Sequence, residues 1–204
     1  MPVKPPLSGH RARQALATRE QVARSARALF RELGYVATTM QAIAQAAAVP
    51  EPTIYSALGS KAGILAEIRR LWIADSDVRR QHDQALVQLD PVRRLRMAAH
   101  WHRRQMELGY DIIAIYQEAA RADPSMAQEW QRVQASREGA VRELVASLEG
   151  RLAPGLTLTT ATDVYLTCTL AEVYRTLVLE RGWSLAHYEH WLAGLLVRQL
   201  LAQP

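Results

Sequence analysis

The side chains that could do chemistry are few, and they are not arranged as an active site. His187 and His190 lie three positions apart, a spacing that can hold a metal ion on one side of a helix, but no third ligand accompanies them. The one cysteine, Cys168, has no disulfide partner and is expected to be a small buried hydrophobic residue. No nucleophile is paired with a base at a recognisable spacing, and no glycine-rich phosphate loop is present. The sequence therefore predicts that the protein is not an enzyme and has no metal or other cofactor.

Basic side chains are concentrated at the N-terminal end of the 204-residue chain. Residues 1–61 contain eight Lys and Arg against three Asp and Glu, whereas residues 62–204 contain seventeen of each, so the first third carries the whole formal net charge of +5. Cations that replace the counterions condensed on phosphate give sequence-independent affinity for a polyanion. The distribution is typical of a nucleic-acid-binding segment joined to a neutral body, and without a motif it equally fits a merely soluble surface.

Helical periodicity begins near Thr18, so most of the basic residues of the N-terminal third are predicted to lie on helices. Gly34 ends a first helix, whose apolar residues recur at helical spacing: Val22, Ala26, Leu29, Phe30 and Leu33. A second helix runs from a threonine cap, Thr38 or Thr39, to about Ala47. A third, entered through Pro50 and Pro52, covers about 51–58, and Ser60 caps a fourth. Residues 1–15, with three prolines, are predicted to be a flexible basic arm.

The rest of the chain is also helical in pattern, with no hairpin signal and no internal repeat. Its hydrophobic content of 49% is enough for a sizeable core. The periodicity predicts a helical bundle, in which the helices span about 61–78, 91–107, 110–122, 125–149, 160–181 and 185–202.

Residues 18–65 resemble the N-terminal domain of the tetracycline-repressor-like (TetR) family. The residues that carry the resemblance, in the family's order and spacing, are Gly34-Tyr35, Thr38-Thr39, Ile43-Ala44, Val49, Thr53-Ile54-Tyr55 and Ser60-Lys61. The resemblance implies an all-α fold with two domains. Residues 16–61 would form a three-helix DNA-binding domain with a helix-turn-helix, and residues 62–204 a helical ligand-binding and dimerisation domain.

The resemblance also implies how the helix-turn-helix meets DNA: the third helix enters the major groove and the second crosses the backbone. Thr39, Tyr55 and Lys61 match positions that hold phosphates. The residues expected to face bases or the groove floor are Gln41, Glu51, Pro52, Thr53 and Ser56. Each of the three phosphate candidates has a structural alternative: Thr39 only caps its helix, Tyr55 packs into the core, and Lys61 is an ordinary surface lysine.

Two departures from the family pattern affect this interpretation. Ala48 occupies the turn position that normally carries glycine, so it is either left-handed and strained or kept right-handed by a turn that Pro50 reshapes. The third helix contains no Lys or Arg. Electrostatic attraction to DNA must then come from other basic residues, for which the candidates are Arg11, Arg13, Arg24, Arg27 and Lys61.

The predicted helix 91–107 is apolar on two faces, which is typical of a central helix. By resemblance it lines the cavity for an unknown small-molecule effector, aromatic or lipophilic, although core packing is the alternative for each residue. The ligand candidates are Trp72, Met97, Trp101, Met106, Tyr110, Tyr116 and Trp130. His102 on the core face is expected to be a hydrogen-bonded core histidine.

The last two predicted helices carry matching apolar stripes. These either close one chain's own core or, as the resemblance implies, form a four-helix interface in a homodimer. The stripe residues are Leu166, Leu170, Val173, Leu177, Trp191, Leu192, Leu195 and Leu196. Two-fold symmetry would match a palindromic operator on double-stranded DNA.

These features predict a sequence-specific DNA-binding transcriptional regulator, a repressor that a small-molecule effector releases from its operator. A ligand-independent DNA-binding protein and a helical enzyme with a DNA-binding appendage are the alternatives. The N-terminus lacks the apolar region of a secretory signal, and no stretch reaches the length of a spanning helix. A cytoplasmic protein with no membrane partner is therefore expected.

Overall fold

The computed structural model describes residues 7–202, apart from the side chains of Leu7, Ser8 and Val78, and all of its regular elements are helices. In chain order they are α1 (Leu7–Leu33), α2 (Met40–Ala47), α3 (Glu51–Leu58), α4 (Lys61–Asp75), α5 (Val78–Leu86), α6 (Pro91–Ala122), α7 (Pro124–Ala146), α8 (Leu158–Cys168), α9 (Ala171–Tyr174), a π-helical turn (Arg175–Glu180) and α10 (Leu185–Leu200). One isolated antiparallel bridge joins Leu152 to Leu201. The predicted all-α fold is confirmed.

The first helix begins earlier than predicted. Residues 7–15 belong to α1, so the prediction of a flexible arm is wrong for them, and residues 1–6 lie outside the described residues. The reason is composition: after Pro6 the segment contains no proline, and Ala, Arg, Gln and Leu favour a helix. The Arg13 side chain also donates to the Gly9 carbonyl oxygen one turn earlier, at 3.2 Å.

The chain divides into two compact units whose limits differ from the predicted domain boundary at residue 61. The first unit contains residues up to 72 together with 111–128, and the second contains 73–110 and the chain from 129 onward. Helices α4, α6 and α7 therefore each contribute to both units.

The core of the first unit is built from the predicted apolar faces. Val22, Ala26 and Phe30 of α1 are buried with residues of the short helices, Ile43 of α2 and Ile54 of α3. A stripe repeating every three to four residues places these side chains on one face of each helix. The faces left outside carry the polar residues considered below.

The second unit departs from the predicted helices at three places. The helices expected over 91–107 and 110–122 are joined across Gly109, whose φ of −152° and ψ of 21° are not helical. Helix α5, rich in charged residues, was not predicted, because it lacks an apolar stripe. The helix expected over 160–181 breaks at Thr169 and Leu170.

The core of the second unit contains Leu95, Leu144, Tyr165, Tyr188 and Leu196 among its fully buried side chains. No helix within residues 7–202 combines the length and the apolar character that crossing a membrane requires.

Candidate nucleic-acid interface

The start of α2 is capped by Thr39. Its backbone is extended, with φ −95° and ψ 158°, and its hydroxyl oxygen accepts from the Ala42 amide at 3.1 Å. Thr38 is instead buried, and its hydroxyl donates to the Gly34 carbonyl oxygen at 2.7 Å. The structure thus decides between the two predicted caps. Because the amides of Met40 and Gln41 stand in the first turn, they have no acceptor within the helix.

The turn between α2 and α3 depends on a left-handed Ala48, with φ 49° and ψ 39°. The amide of Ala48 donates to the Gln45 carbonyl oxygen at 3.2 Å, and that of Val49 donates to Ala44 at 3.1 Å. This is the hydrogen-bond pattern of a Schellman motif, in which glycine usually holds the left-handed position. The left-handed alternative is confirmed, and a right-handed turn reshaped by Pro50 is excluded.

Helix α3 presents its polar side outward because Ile54 and Leu58, one turn apart, are buried. The Thr53 and Ile54 amides both donate to the Pro50 carbonyl oxygen, at 2.9 and 3.2 Å, and Pro52 has no amide hydrogen. Glu51 adds a negative charge in the first turn. The N-terminus of α3 is therefore poorly suited to bind a phosphate, so its exposed side chains must make any contact with DNA.

Most of the residues predicted to contact DNA are exposed on α2 and α3: Thr39, Gln41, Pro52, Thr53, Tyr55 and Ser56. Tyr55 is 47% exposed, so the alternative that its ring belongs to the core is wrong. Glu51 is half-buried. Their contacts with DNA remain predictions.

Lys61 is held inside the first unit. Its ammonium donates to the backbone carbonyl oxygens of Tyr35 at 2.7 Å, Thr38 at 3.0 Å and Val36 at 3.3 Å. It also lies 4.5 Å from the centroid of the Tyr35 ring. An ammonium has three N–H donors, and here carbonyls take all three, so the chain without DNA leaves none of them for the predicted phosphate contact. Burial lowers the pKa of Lys61, against the opposing effect of the Glu118 charge.

Glu118 of α6 binds the same turn from its amide side. Its carboxylate accepts from the Tyr35 amide at 3.0 Å and from the Val36 amide at 3.1 Å. A Cβ at Gly34, which has φ 85°, would stand 3.0 Å from the carboxylate. One acid and one lysine therefore hold the backbone that leads into α2. Sequence reasoning missed Glu118, because no local pattern connects residues so far apart in the chain.

Two arginines near the interface are also paired inside the first unit. Arg27 donates to both Asp111 carboxylate oxygens, at 2.8 and 2.6 Å, and Arg19 to Glu67 at 2.9 Å. Arg27 is thus corrected as a source of attraction to DNA, since a bidentate carboxylate already neutralises its charge. Arg11, Arg13 and Arg24 are exposed, and the last lies 3.8 Å from Glu20.

The seven predicted ligand residues are divided between the units: Trp72 and Tyr116 are in the first, and the rest are in the second. Tyr116, Trp101 and Met106 are buried, whereas Trp72, Met97, Tyr110 and Trp130 are half-buried. The first unit also has a pocket of about 460 Å³, which is lined by other residues, among them Tyr35, Lys61 and Asp123. None of the seven predicted ligand residues lines it. Their role in binding remains a prediction.

The predicted dimer stripe is only partly available to a partner. Leu192 and Leu196 are 0% exposed inside the chain's own core, so their assignment to the interface is corrected. Leu170 is 43% exposed. The remaining residues are half-buried: Leu166, Val173, Leu177, Trp191 and Leu195.

The three histidines considered in the sequence lie in different surroundings. His102 is buried, and its Nε2 lies 3.2 Å from the Tyr188 hydroxyl, which confirms a hydrogen-bonded core histidine. Burial, aided by the Arg137 charge, lowers the pKa of His102 to about 3. His187 stacks on Trp183 with ring centroids 4.0 Å apart, and His190 is exposed.

The comparisons with known proteins agree with this architecture. Residues 23–68 match the family model of the bacterial regulatory proteins of the tetR family. The solved structures of similar fold include FadR from Bacillus subtilis in complex with stearoyl-CoA, with 17% identity, a TM-score of 0.72, and coverage of 87% of this chain and 97% of that one. They also include the TetR family regulator PfmR from Thermus thermophilus, with 22% identity, a TM-score of 0.65 and the same two coverages.

A third similar structure is that of SmeT in complex with triclosan, with 15% identity, a TM-score of 0.73, and coverage of 92% of this chain and 93% of that one. No curated protein matches the chain by sequence. The structural likenesses bear on the fold, and the family match covers α2, α3, about half of α4 and part of α1. Residues 23–68 are therefore similar to the tetR family of bacterial regulatory proteins, and the chain as a whole shares the fold of these solved structures.

Proposed function

We propose that this protein is a sequence-specific DNA-binding transcriptional regulator, a repressor that a small-molecule effector releases from its operator. The observation that carries the proposal is the exposed polar side of α3, mounted on buried Ile54 and Leu58 and joined to α2 by the left-handed turn at Ala48. A rigid helix with an exposed polar face is what major-groove recognition requires.

Phosphate contacts are proposed for donors that remain exposed at the surface. The Thr39 hydroxyl and the first amides of α2 suit a phosphate at a helix N-terminus, and the exposed Tyr55 hydroxyl suits a second. The exposed Arg11, Arg13 and Arg24 supply the cations. Lys61 acts on DNA only through the turn that it holds.

Base contacts are proposed for the side chains around the exposed edge of α3 and the start of α2. Thr53 and Ser56 reach base edges, Gln41 pairs with adenine, and Glu51 accepts from a cytosine amino group. Pro52 makes an apolar contact with a thymine methyl. Because these contacts depend on the base, they determine sequence preference, whereas the phosphate contacts determine overall affinity.

A homodimer is proposed through the exposed part of the apolar stripe, around Leu170, Val173, Leu177, Trp191 and Leu195. A two-fold dimer presents two α3 helices to the two halves of a palindromic operator. We expect such a regulator to act in the cytoplasm.

An effector is proposed because two proteins of the same fold are described in complex with small molecules, FadR with stearoyl-CoA and SmeT with triclosan. Trp101 and Met106, buried in the second unit, are the proposed apolar contacts. The effector would favour a dimer in which the spacing of the two recognition helices no longer fits the operator. A ligand-independent DNA-binding protein is the second candidate, and a small-molecule library that never raises the melting temperature would favour it.

The deciding experiment selects bound fragments from genomic DNA and then measures the affinity of variants for the selected site. Tyr55→Phe should weaken specific and nonspecific binding alike, whereas Thr53→Ala should change the preference at particular base pairs. Thr159→Ala, an exposed threonine of the second unit, is the matched control and should change neither. The proposal fails if no fragment is enriched, or if Thr53→Ala and Tyr55→Phe both bind as the wild type does.

A further inference from the structure

A group of polar side chains, most of them buried, lies in the second unit. It consists of Arg137 on α7, Tyr165 on α8, Thr169 just after α8, His102 on α6 and Tyr188 on α10; we call it the Arg137 cluster. Arg137 donates from Nη2 to the Thr169 carbonyl oxygen at 2.8 Å and to its hydroxyl oxygen at 2.7 Å. The Thr169 hydroxyl in turn donates to the Tyr165 carbonyl oxygen at 2.8 Å.

The charge of Arg137 is not paired with a carboxylate. No ion pair within residues 7–202 includes it, and its Nε and Nη1 donors have no protein acceptor in that range. Arg94 is different, because its Nε, Nη1 and Nη2 all donate to oxygens of Gln88 or Ser147. Burial lowers the pKa of Arg137, against the weaker opposing effects of Tyr165 and Glu172. Arg137 is half-buried, so its unpaired donors are less well solvated than those of an exposed arginine yet can still be reached by a bound anion.

A second group in the cluster also lacks a partner. The Tyr165 side chain is 1% exposed, and its hydroxyl has no hydrogen bond. Buried hydroxyls are normally satisfied, so an unpaired one indicates an acceptor or donor that the protein itself does not supply. Thr169 links the two residues, because its hydroxyl accepts from Arg137 and donates to the Tyr165 carbonyl oxygen. Burial raises the pKa of Tyr165, and the Arg137 charge opposes that rise.

The remaining members of the cluster are neutral and already bonded. His102, uncharged at physiological pH, is paired with the Tyr188 hydroxyl. Tyr188 also begins a row of aromatic rings, with its centroid 5.3 Å from that of Tyr174 and 6.0 Å from that of Trp191. Tyr110 extends the row, 5.9 Å from Tyr174. Tyr174 and Tyr188 are buried, so the row forms an apolar part of the core of the second unit.

We propose that Arg137 and Tyr165 bind the head group of the effector, and that this head group is a carboxylate attached to an apolar tail. The carboxylate accepts from the free donors of Arg137 and from the Tyr165 hydroxyl, and the tail lies along the row Tyr110, Tyr174 and Tyr188. One cation and one phenol match a planar monoanion, whose two oxygens a guanidinium binds in parallel. The inference rests on the proposed effector-responsive function and specifies the chemical class of that effector.

The test measures thermal stabilisation of the full chain by decanoate, hexadecanoate, benzoate and phenylacetate, each beside its primary amide. At least one carboxylate should raise the melting temperature of the wild type, and its amide should not. Arg137→Gln should lower the affinity for that carboxylate about tenfold or more, because hydrogen bonds between two charged groups are lost. Arg142→Gln removes the same charge from an exposed position of α7 and should bind as the wild type does.

Tyr165→Phe keeps the inference testable if Arg137→Gln does not fold. It should weaken the same carboxylate without lowering the melting temperature of the ligand-free protein, because the hydroxyl it removes has no partner there. The inference is overturned if no carboxylate stabilises the wild type, if the amides bind equally well, or if both variants bind like the wild type.

DNA binding, measured on the same preparations, separates this inference from the proposed function. If carboxylates bind through Arg137 but no DNA fragment is ever retained, the regulator proposal fails and the site stands. If the protein binds DNA but no carboxylate raises its melting temperature, the proposed carboxylate site is wrong and the regulator proposal stands.

Discussion

Replacing Lys61 with methionine distinguishes a lysine that holds the protein together from one that holds DNA. The change preserves the length and much of the apolar stem of the side chain but removes the ammonium. In the structure that ammonium is bonded to three backbone carbonyls of the turn before α2. We therefore expect Lys61→Met to lower folding stability, whereas a lysine that contacts phosphate would affect only the complex.

The size of the effect follows from the surroundings of each bond. The bonds to the Tyr35 and Thr38 carbonyls are partly buried and short, and the bond to Val36 is longer and exposed, so it adds little. Hydrogen bonds to charged groups contribute about 1.5 to 3 kcal/mol, and partial exposure places each of these two near the lower end. We expect a loss of about 2 to 3 kcal/mol, or roughly 5 to 10 °C in melting temperature for a chain of this size.

The assay combines denaturant melts with the salt dependence of DNA affinity, and Arg24→Met on exposed α1 is the matched control. Arg24→Met should leave stability within about 0.5 kcal/mol. It should reduce the slope of log affinity against log salt by about 1.8, because each lost phosphate contact contributes about 0.9 and the proposed dimer loses two. Lys61→Met should do the opposite: a clear loss of stability and an unchanged slope. If Lys61→Met melted like the wild type and reduced the slope, the account of the turn would be wrong.

Three further predictions follow from other parts of the chain. Ala48→Gly should raise the unfolding free energy by about 1 kcal/mol or less, because it relieves a left-handed alanine but loosens the unfolded chain, whereas Ala46→Gly in the same helix should lower it; denaturant midpoints that fall for both would contradict the strained turn. Leu170→Asp with Leu195→Asp should yield monomers by light scattering, since both side chains keep accessible surface, and a soluble, unchanged dimer would reject the proposed interface. His102 has a pKa of about 3 in the folded chain and the ordinary 6.5 in the unfolded chain, so its contribution to stability is complete above about pH 6.5 and falls by up to about 1.4 kcal/mol per pH unit down to about pH 3. Melts at several pH values should show that His102→Gln removes this dependence.

Much of the helix-turn-helix could be predicted because its determinants are local. Gly34 ends α1, a threonine begins α2, and prolines open α3, each through a rule that acts within one turn. The left-handed conformation of Ala48 is also local, since it depends on the spacing between two short helices. The exposure of Thr53 and Tyr55 follows from the burial of Ile54 between them.

The partners of charged and apolar side chains were decided only by the tertiary structure. Lys61 and Arg27 were expected to contact DNA. In the folded chain Lys61 instead donates to carbonyl oxygens such as that of Val36, and Arg27 donates to Asp111. The arrangement of the Arg137 cluster was equally invisible. An ion pair or an orphan charge depends on which distant helices pack together, and no periodicity records that.

The apolar stripes show the same limit. Leu192 and Leu195 belong to one stripe at helical spacing, yet the first is fully buried in its own chain and the second keeps accessible surface. The sequence alone determined that this stripe is apolar and helical, because hydrophobicity and spacing are properties of the segment itself. Which part of it remains for a partner was decided only by the folded chain, because burial depends on how the other helices pack against it.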